Sequence, residues 1–161
     1  MSVRPHLLDT TVALHLARGN DLGKYIDRTF GLSSAVYRPL ISIVSHGELW
    51  LIANRNTWGQ PKREALKNIL GNLVTIDIND QSVLDAYVTV RRASEKAGRT
   101  LSNNDHWIAA CTKAADAILL TTDDDFVHLH PTYCLVTYID PASRLAVPTG
   151  GTQTTLGKTV Q

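Results

Sequence analysis

A three-layer α/β/α fold around a central parallel sheet is what this 161-residue sequence predicts, on three observations. Short apolar runs alternate with amphipathic stretches, the pattern of repeated βα units. Four carboxylates, Asp9, Glu48, Asp105 and Asp123, stand where apolar runs stop or helical segments open. Hydrophobic residues make up 43% and charged residues 19%, ordinary for one soluble globular domain of this length.

Taken in order, His6–Leu8 reads as the first strand and Thr10–Arg18 as the helix after it. Gly19-Asn20-Asp21 breaks the pattern, a second helix covers about residues 22–29, and 30–38 reads as a loop. A second strand at 39–43 leads into a helix over 45–55. Gly59-Gln60-Pro61 marks a turn with proline near a helix start, followed by a helix at 62–70 and a strand at 73–78. Asp80 reads as the N-cap of a long helix ending near Gly98, with Val83, Leu84, Tyr87 and Val88 at helical spacing. A helix at 103–115, a strand from Ile118 and a short last strand at 133–139 complete the pattern. From Pro148 the sequence lacks core-forming residues, so 1–147 is expected to form the domain and 148–161 a disordered tail.

Several classes are disfavoured at once. A formal net charge of +1 gives no global basic field, so a nucleic-acid partner would be held by a local patch. Cys111 and Cys134 are too few for a disulfide framework and read as small buried hydrophobes. No apolar run approaches the roughly 18 residues a membrane span needs, and no signal peptide is visible. A reducing cytoplasm is the expected home.

Each acid has a capping explanation. Asp9 could cap the first helix, and Asp123 a turn. Ser45-x-x-Glu48 and Ser102-x-x-Asp105 both match the capping box. Two features ask for more than capping. Glu48 shares a helical face with Val44, Leu51 and Ile52, and Asp105 with Ile108, Ala109 and Thr112. Both acids then point partly toward the core side, where an unpaired carboxylate is costly. A shared cation relieves that cost, and oxygen-only ligands suit Mg²⁺ or Mn²⁺. In a parallel α/β sheet, strand ends and helix starts share the rim where ligands bind. A divalent ion there activates water and polarises a phosphoryl oxygen, which points to phosphodiester cleavage.

The stretches Leu7-Leu8-Asp9-Thr10-Thr11, Ser45-His46-Gly47-Glu48-Leu49, Asn104-Asp105-x-x-Ile108-Ala109-Ala110 and Leu120-Thr121-Thr122-Asp123-Asp124-Asp125-Phe126 resemble PIN domains. Their order and separations look most like VapC-like toxins of toxin–antitoxin pairs, and the resemblance spans roughly Pro5 to Pro141. It implies that Asp9 and Asp105 bind Mg²⁺ most directly, that Glu48 completes the acidic pocket, and that Asp123, ahead of Asp125, is the fourth acid. Thr10 would orient the first carboxylate or a metal-bound water. Thr11 departs from the family, where Asn or Ser more often follows Asp-Thr, but it keeps a hydroxyl. The implied protein is a Mg²⁺- or Mn²⁺-dependent endoribonuclease toxin, a homodimer inhibited by a cognate antitoxin protein. Two rivals keep the fold: a housekeeping RNA-processing or DNA-cleaving nuclease, and a catalytically silent binding module.

Other residues are assigned lesser roles. Arg92, Lys96 and Arg99 recur at i, i+4 and i+7, a basic ridge that could steer RNA phosphates; Lys62, Arg63 and Lys67 form a second cluster. His106 is expected to face solvent or a partner, and His128 and His130 to form a surface pair on an extended segment. Trp50, Trp58 and Trp107 read as core or interface residues. His46-x-Glu48 lacks the Pro-Cys-x-x-Cys of zinc deaminases, and no glycine-rich nucleotide motif occurs.

Overall fold

Residues 3–148 are described by the computed structural model. The strands are β1 (His6–Leu8), β2 (Leu40–Ser42), β3 (Val74–Ile76), β4 (Ile118–Thr121), β5 (Leu135–Ile139) and β6 (Ala146–Pro148). The helices are α1 (Thr10–Arg18), α2 (Asp21–Phe30), α3 (Ile43–Arg55), α4 (Gln60–Gly71), α5 (Gln81–Lys96) and α6 (Asn103–Ala114), with 3₁₀ turns at Leu32–Ser34 and Asp124–Leu129. One sheet runs in the order β3-β2-β1-β4-β5-β6. Its first five strands are parallel, with Leu7 paired to Leu40 and Leu119, and Leu119 to Val136.

Side-chain alternation along the strands builds the layers. Leu7, Leu40, Leu119 and Val136 face α5 and α6, packing with Val83, Val90, Ile108 and Ala109. Their neighbours Leu8, Ile41, Leu120 and Ile139 face the other way, toward α1–α4, among Val12, Ala13, Ile26, Leu49 and Leu66. Both cysteines are free and buried. The three-layer expectation therefore holds for the described residues.

Connectivity places the functional rim. The chain starts in the sheet at β1, steps outward to β2 and β3, then crosses back to β4 on the other side of β1. That reversal lies between β1 and β4, and a crevice opens beyond their carboxyl ends. Asp9 directly follows β1, and Asp123 follows β4 by two residues.

Three local expectations are corrected. Helix α3 starts at Ile43, capped by the Ser42 hydroxyl, which accepts from the Val44 N–H at 3.2 Å. Ser45 is therefore inside the helix, fully buried, and no Ser45–Glu48 capping box forms. Residues 124–129 wind as a 3₁₀ turn, so His128 and His130 do not share an extended face. His128 Nε2 lies 2.8 Å from Ser94 Oγ, while His130 Nδ1 accepts from the Val136 N–H at 3.0 Å. Strand β6, absent from the expected pattern, pairs antiparallel with β5. Its last residue is Pro148, where the tail was expected to begin; residues 149–161 of that tail lie outside the described residues.

Candidate active site

At the end of β1, the Asp9 N–H still donates to the Leu120 carbonyl of β4 at 3.0 Å. The chain then turns into α1 with Asp9 as its N-cap. Its carboxylate is held from three directions: Oδ1 accepts the Thr10 N–H at 2.7 Å, and Oδ2 accepts the hydroxyls of Thr121 at 2.7 Å and Thr11 at 3.1 Å. Only 3% of Asp9 is exposed. Burial pushes its carboxyl up to about 6; these hydrogen bonds oppose the shift and the charge of Asp105 adds to it. A hydroxyl pair just beyond the ends of β1 and β4 backs this arrangement, since Thr122 donates to Thr11 at 2.9 Å. The Thr121 oxygen also accepts the Asp123 N–H at 2.9 Å, tying the end of β4 to Asp9.

Glu48 enters from α3 through a different set of donors. The Thr10 hydroxyl makes a short hydrogen bond to Glu48 Oε2, and the Asn104 amide donates to Oε1 at 2.8 Å. Ser45 Oγ lies 2.9 Å from Thr10 Oγ1. Because the single Thr10 proton goes to the carboxylate, Ser45 is the donor in that pair. The Thr10 side chain thus serves Glu48, while its backbone N–H serves Asp9. On the Glu48 face of α3, Ile52 packs against the core while Leu51 is 47% exposed, so the face straddles core and surface.

Asp105 sits in the first turn of α6 and completes a capping box with Ser102. The Ser102 hydroxyl donates to Asp105 Oδ2 at 2.6 Å and accepts the Asp105 N–H at 3.1 Å. Oδ1 has no hydrogen bond among the described residues, so capping leaves one oxygen available. Partial burial raises the Asp105 carboxyl, and the charges of Asp123 and Glu48 raise it further. Asp123 is half-buried and caps the 3₁₀ turn by accepting the Asp125 N–H at 2.9 Å. The structure therefore brings Asp9, Glu48, Asp105 and Asp123 into one electrostatically linked group.

Asp125 lies on the outer side of this group. It is exposed and borders a cavity of about 250 Å³ with Arg99, Asp124, Val127 and His128. Ligand oxygens of Asp123, Asp124 and Asp125 lie within 4.8 Å of one another, the tightest such trio among the described residues. Two of those three are exposed, so water screens their repulsion. The inner acids are the ones whose repulsion and burial a cation would relieve. An ion held by one or two direct carboxylates, with waters completing its shell, accommodates their wider spacing. An all-oxygen donor set of this kind suits a hard divalent cation.

The expected basic ridge is divided. Helix α5 ends at Lys96, and Gly98 at φ +63° turns the chain. Arg92 and Lys96 line a groove with Tyr133, whereas Arg99 borders the cavity beside Asp124 and Asp125. His106 is corrected as well, being 3% exposed rather than facing solvent. Its Nδ1 lies 2.9 Å from the Ser102 carbonyl and its ring meets Tyr87 edge-on, so it braces α6 against α5. His46 bonds Thr75 on β3 at 2.9 Å. Thr11, Ser45, Asn104, Thr121 and Thr122 were not singled out as site residues from sequence, although the threonines' position beside the acids was a usable signal.

No curated protein matches the sequence. Among solved structures, the chain superimposes on VapBC2 from Rickettsia felis, bound to a DNA fragment from its promoter, with a TM-score of 0.68, 20% identity, and coverage of 81% of this chain and 96% of that one. VapBC-5 from Mycobacterium tuberculosis gives 0.60 at 21% identity, covering 83% and 98%. The sarcin–ricin loop cleaving toxin VapC20 from the same organism gives 0.59 at 19%, covering 78% and 95%. At such identities the likeness is one of fold. The PIN domain profile matches residues 6–130, which spans β1, β4 and all four acids, and this chain belongs to the PIN domain family.

Proposed function

We propose that this protein is a Mg²⁺- or Mn²⁺-dependent endoribonuclease, the toxin of a VapBC-like toxin–antitoxin pair. The observation that carries the reading is the convergence of Asp9, Glu48, Asp105 and Asp123, from four separate segments, at the topological switch point of the sheet. Neighbouring charges that raise the proton affinity of Asp9 and Asp105 mark a site that favours a divalent cation. A cation bound there would neutralise charge on the scissile phosphate and activate the attacking water.

The chain's own residues supply position. Asp9, fixed by three hydrogen bonds, and Asp105, with Oδ1 free, are suited to hold the ion directly. Glu48 and Asp123 complete the negative pocket, and Thr10 orients Glu48. In-line attack at phosphorus would expel the 3′ oxygen. Arg99, beside Asp124 and Asp125, would meet a flanking phosphate, with Arg92 and Lys96 along a separate groove.

Toxin assignment, an antitoxin partner and a homodimer rest on the family and on VapBC complexes among the similar structures. A cytoplasmic location belongs to the same reading; no helix among the described residues is long and apolar enough to cross a membrane. Inducible expression of wild type, Asp9→Asn and Asp105→Asn, with mapping of new RNA 5′ ends, tests the proposal. Wild type should arrest growth and cut one or a few RNAs, and both variants should be inert. Equal cleavage by folded Asp105→Asn protein would overturn the assignment.

A further inference from the structure

Asn104 occupies the second position of α6, where a polar side chain ordinarily caps its own helix or faces water. It does neither. Its amide reaches a residue 56 positions away and donates to Glu48 Oε1 at 2.8 Å. The other oxygen, Oε2, takes the Thr10 hydroxyl, itself backed by buried Ser45. Both Glu48 oxygens are thus gripped by neutral donors from two different helices, α1 and α6.

A glutamate has three rotatable side-chain bonds, and fixing them costs conformational freedom when it must happen on binding. Donors that fix it beforehand remove that cost from the binding step. Neutral donors do so without cancelling the carboxylate charge. Asn104 also adjoins Asp105, so one turn of α6 both presents an acid and orients another.

We propose that Asn104 is a positioning residue that pre-sets Glu48 for divalent-cation binding, an inference that rests on the nuclease reading above. Outer groups that orient metal ligands commonly contribute 10–100-fold in metal affinity. Because Asn104 is exposed, its truncation leaves the fold intact.

The test is a double-mutant cycle on the full chain, with Mn²⁺ alone as the probe in calorimetric titration. Asn104→Ala should weaken Mn²⁺ binding roughly 10–100-fold, with unchanged thermal unfolding of the metal-free protein. RNA cleavage should lose kcat with KM retained. In a Glu48→Ala background, Asn104→Ala should change nothing further. Retained Mn²⁺ affinity in Asn104→Ala, an equal loss in the Glu48→Ala background, or lowered metal-free stability would each overturn the role of Asn104 alone. Wild-type protein that binds no Mn²⁺ and cuts no RNA would instead remove the nuclease reading, and this inference with it.

Discussion

Asp9 shows how a single residue can work against the fold that contains it. Its carboxyl titrates near 6 in the folded chain, against an ordinary value of 3.8. The native state therefore binds the proton more tightly than the unfolded state. For a raised acid, the penalty is absent below 3.8, grows as pH rises, and is complete above 6. At pH 7.5 it amounts to about 3 kcal/mol. Asp9→Asn keeps the cap and removes the charge, so metal-free Asp9→Asn should be more stable than wild type by up to that amount at pH 7.5. The gap should close near pH 4. Denaturant unfolding at both pH values checks it, and an Asn variant less stable at pH 7.5 would contradict the burial argument. At this scale the acids were legible, because their positions at the ends of apolar runs are written in the sequence. Asn104 was not, since a first-turn asparagine looks like any capping residue until its partner 56 positions away is known. His106 is buried although the sequence suggests solvent or a partner, because α6 is enclosed by both the sheet and α5.

Helix α2 meets α1 through Gly23, where an added Cβ would lie 2.2 Å from the His15 carbonyl oxygen. Two effects compete in Gly23→Ala. Helix propensity favours alanine by about 1 kcal/mol, while forcing a methyl against backbone costs roughly 1–3 kcal/mol or more. The backbone cannot rotate away as a side chain would, so destabilisation wins. Thermal unfolding should show a midpoint lowered by several degrees, and an unchanged or raised midpoint would mean the helices separate freely. Element boundaries explain the other misreadings. The stretch from Leu40 to Val44 is uniformly apolar apart from Ser42, so no period marks where strand becomes helix. Ser42 closes the three-residue β2 and caps α3, which puts Ser45 inside the first turn. Strand β6 is too short to leave an alternating signature, and its antiparallel pairing breaks the βα rhythm that made the other five readable.

Across the whole molecule, the parallel order and the reversal beside β1 account for why distant acids meet. The α/β class was readable from alternation alone; the strand order was not, because it depends on which sheet edge each crossover chooses. If the cleft takes a divalent ion, the ion is linked to folding, since the unfolded chain has no assembled site. Saturating Mn²⁺ at 100 times its dissociation constant should add about 2.7 kcal/mol, or roughly 5–10 °C in unfolding midpoint for a domain this size. Asp9→Asn and Asp105→Asn should lose most of that gain. Scanning thermal unfolding with and without Mn²⁺ reads this directly, and an equal gain in all three proteins would place the ion elsewhere.

The contact between Thr121 and Asp9 joins residues 112 apart in the chain. During synthesis, β1 emerges before β4 and waits for it before its second edge is filled and Asp9 receives the Thr121 hydroxyl. A nascent or prematurely terminated polypeptide ending before Ile118 therefore carries three of the acids yet has no closed cleft. Closure of the acidic cleft therefore has to wait until β4 has been made.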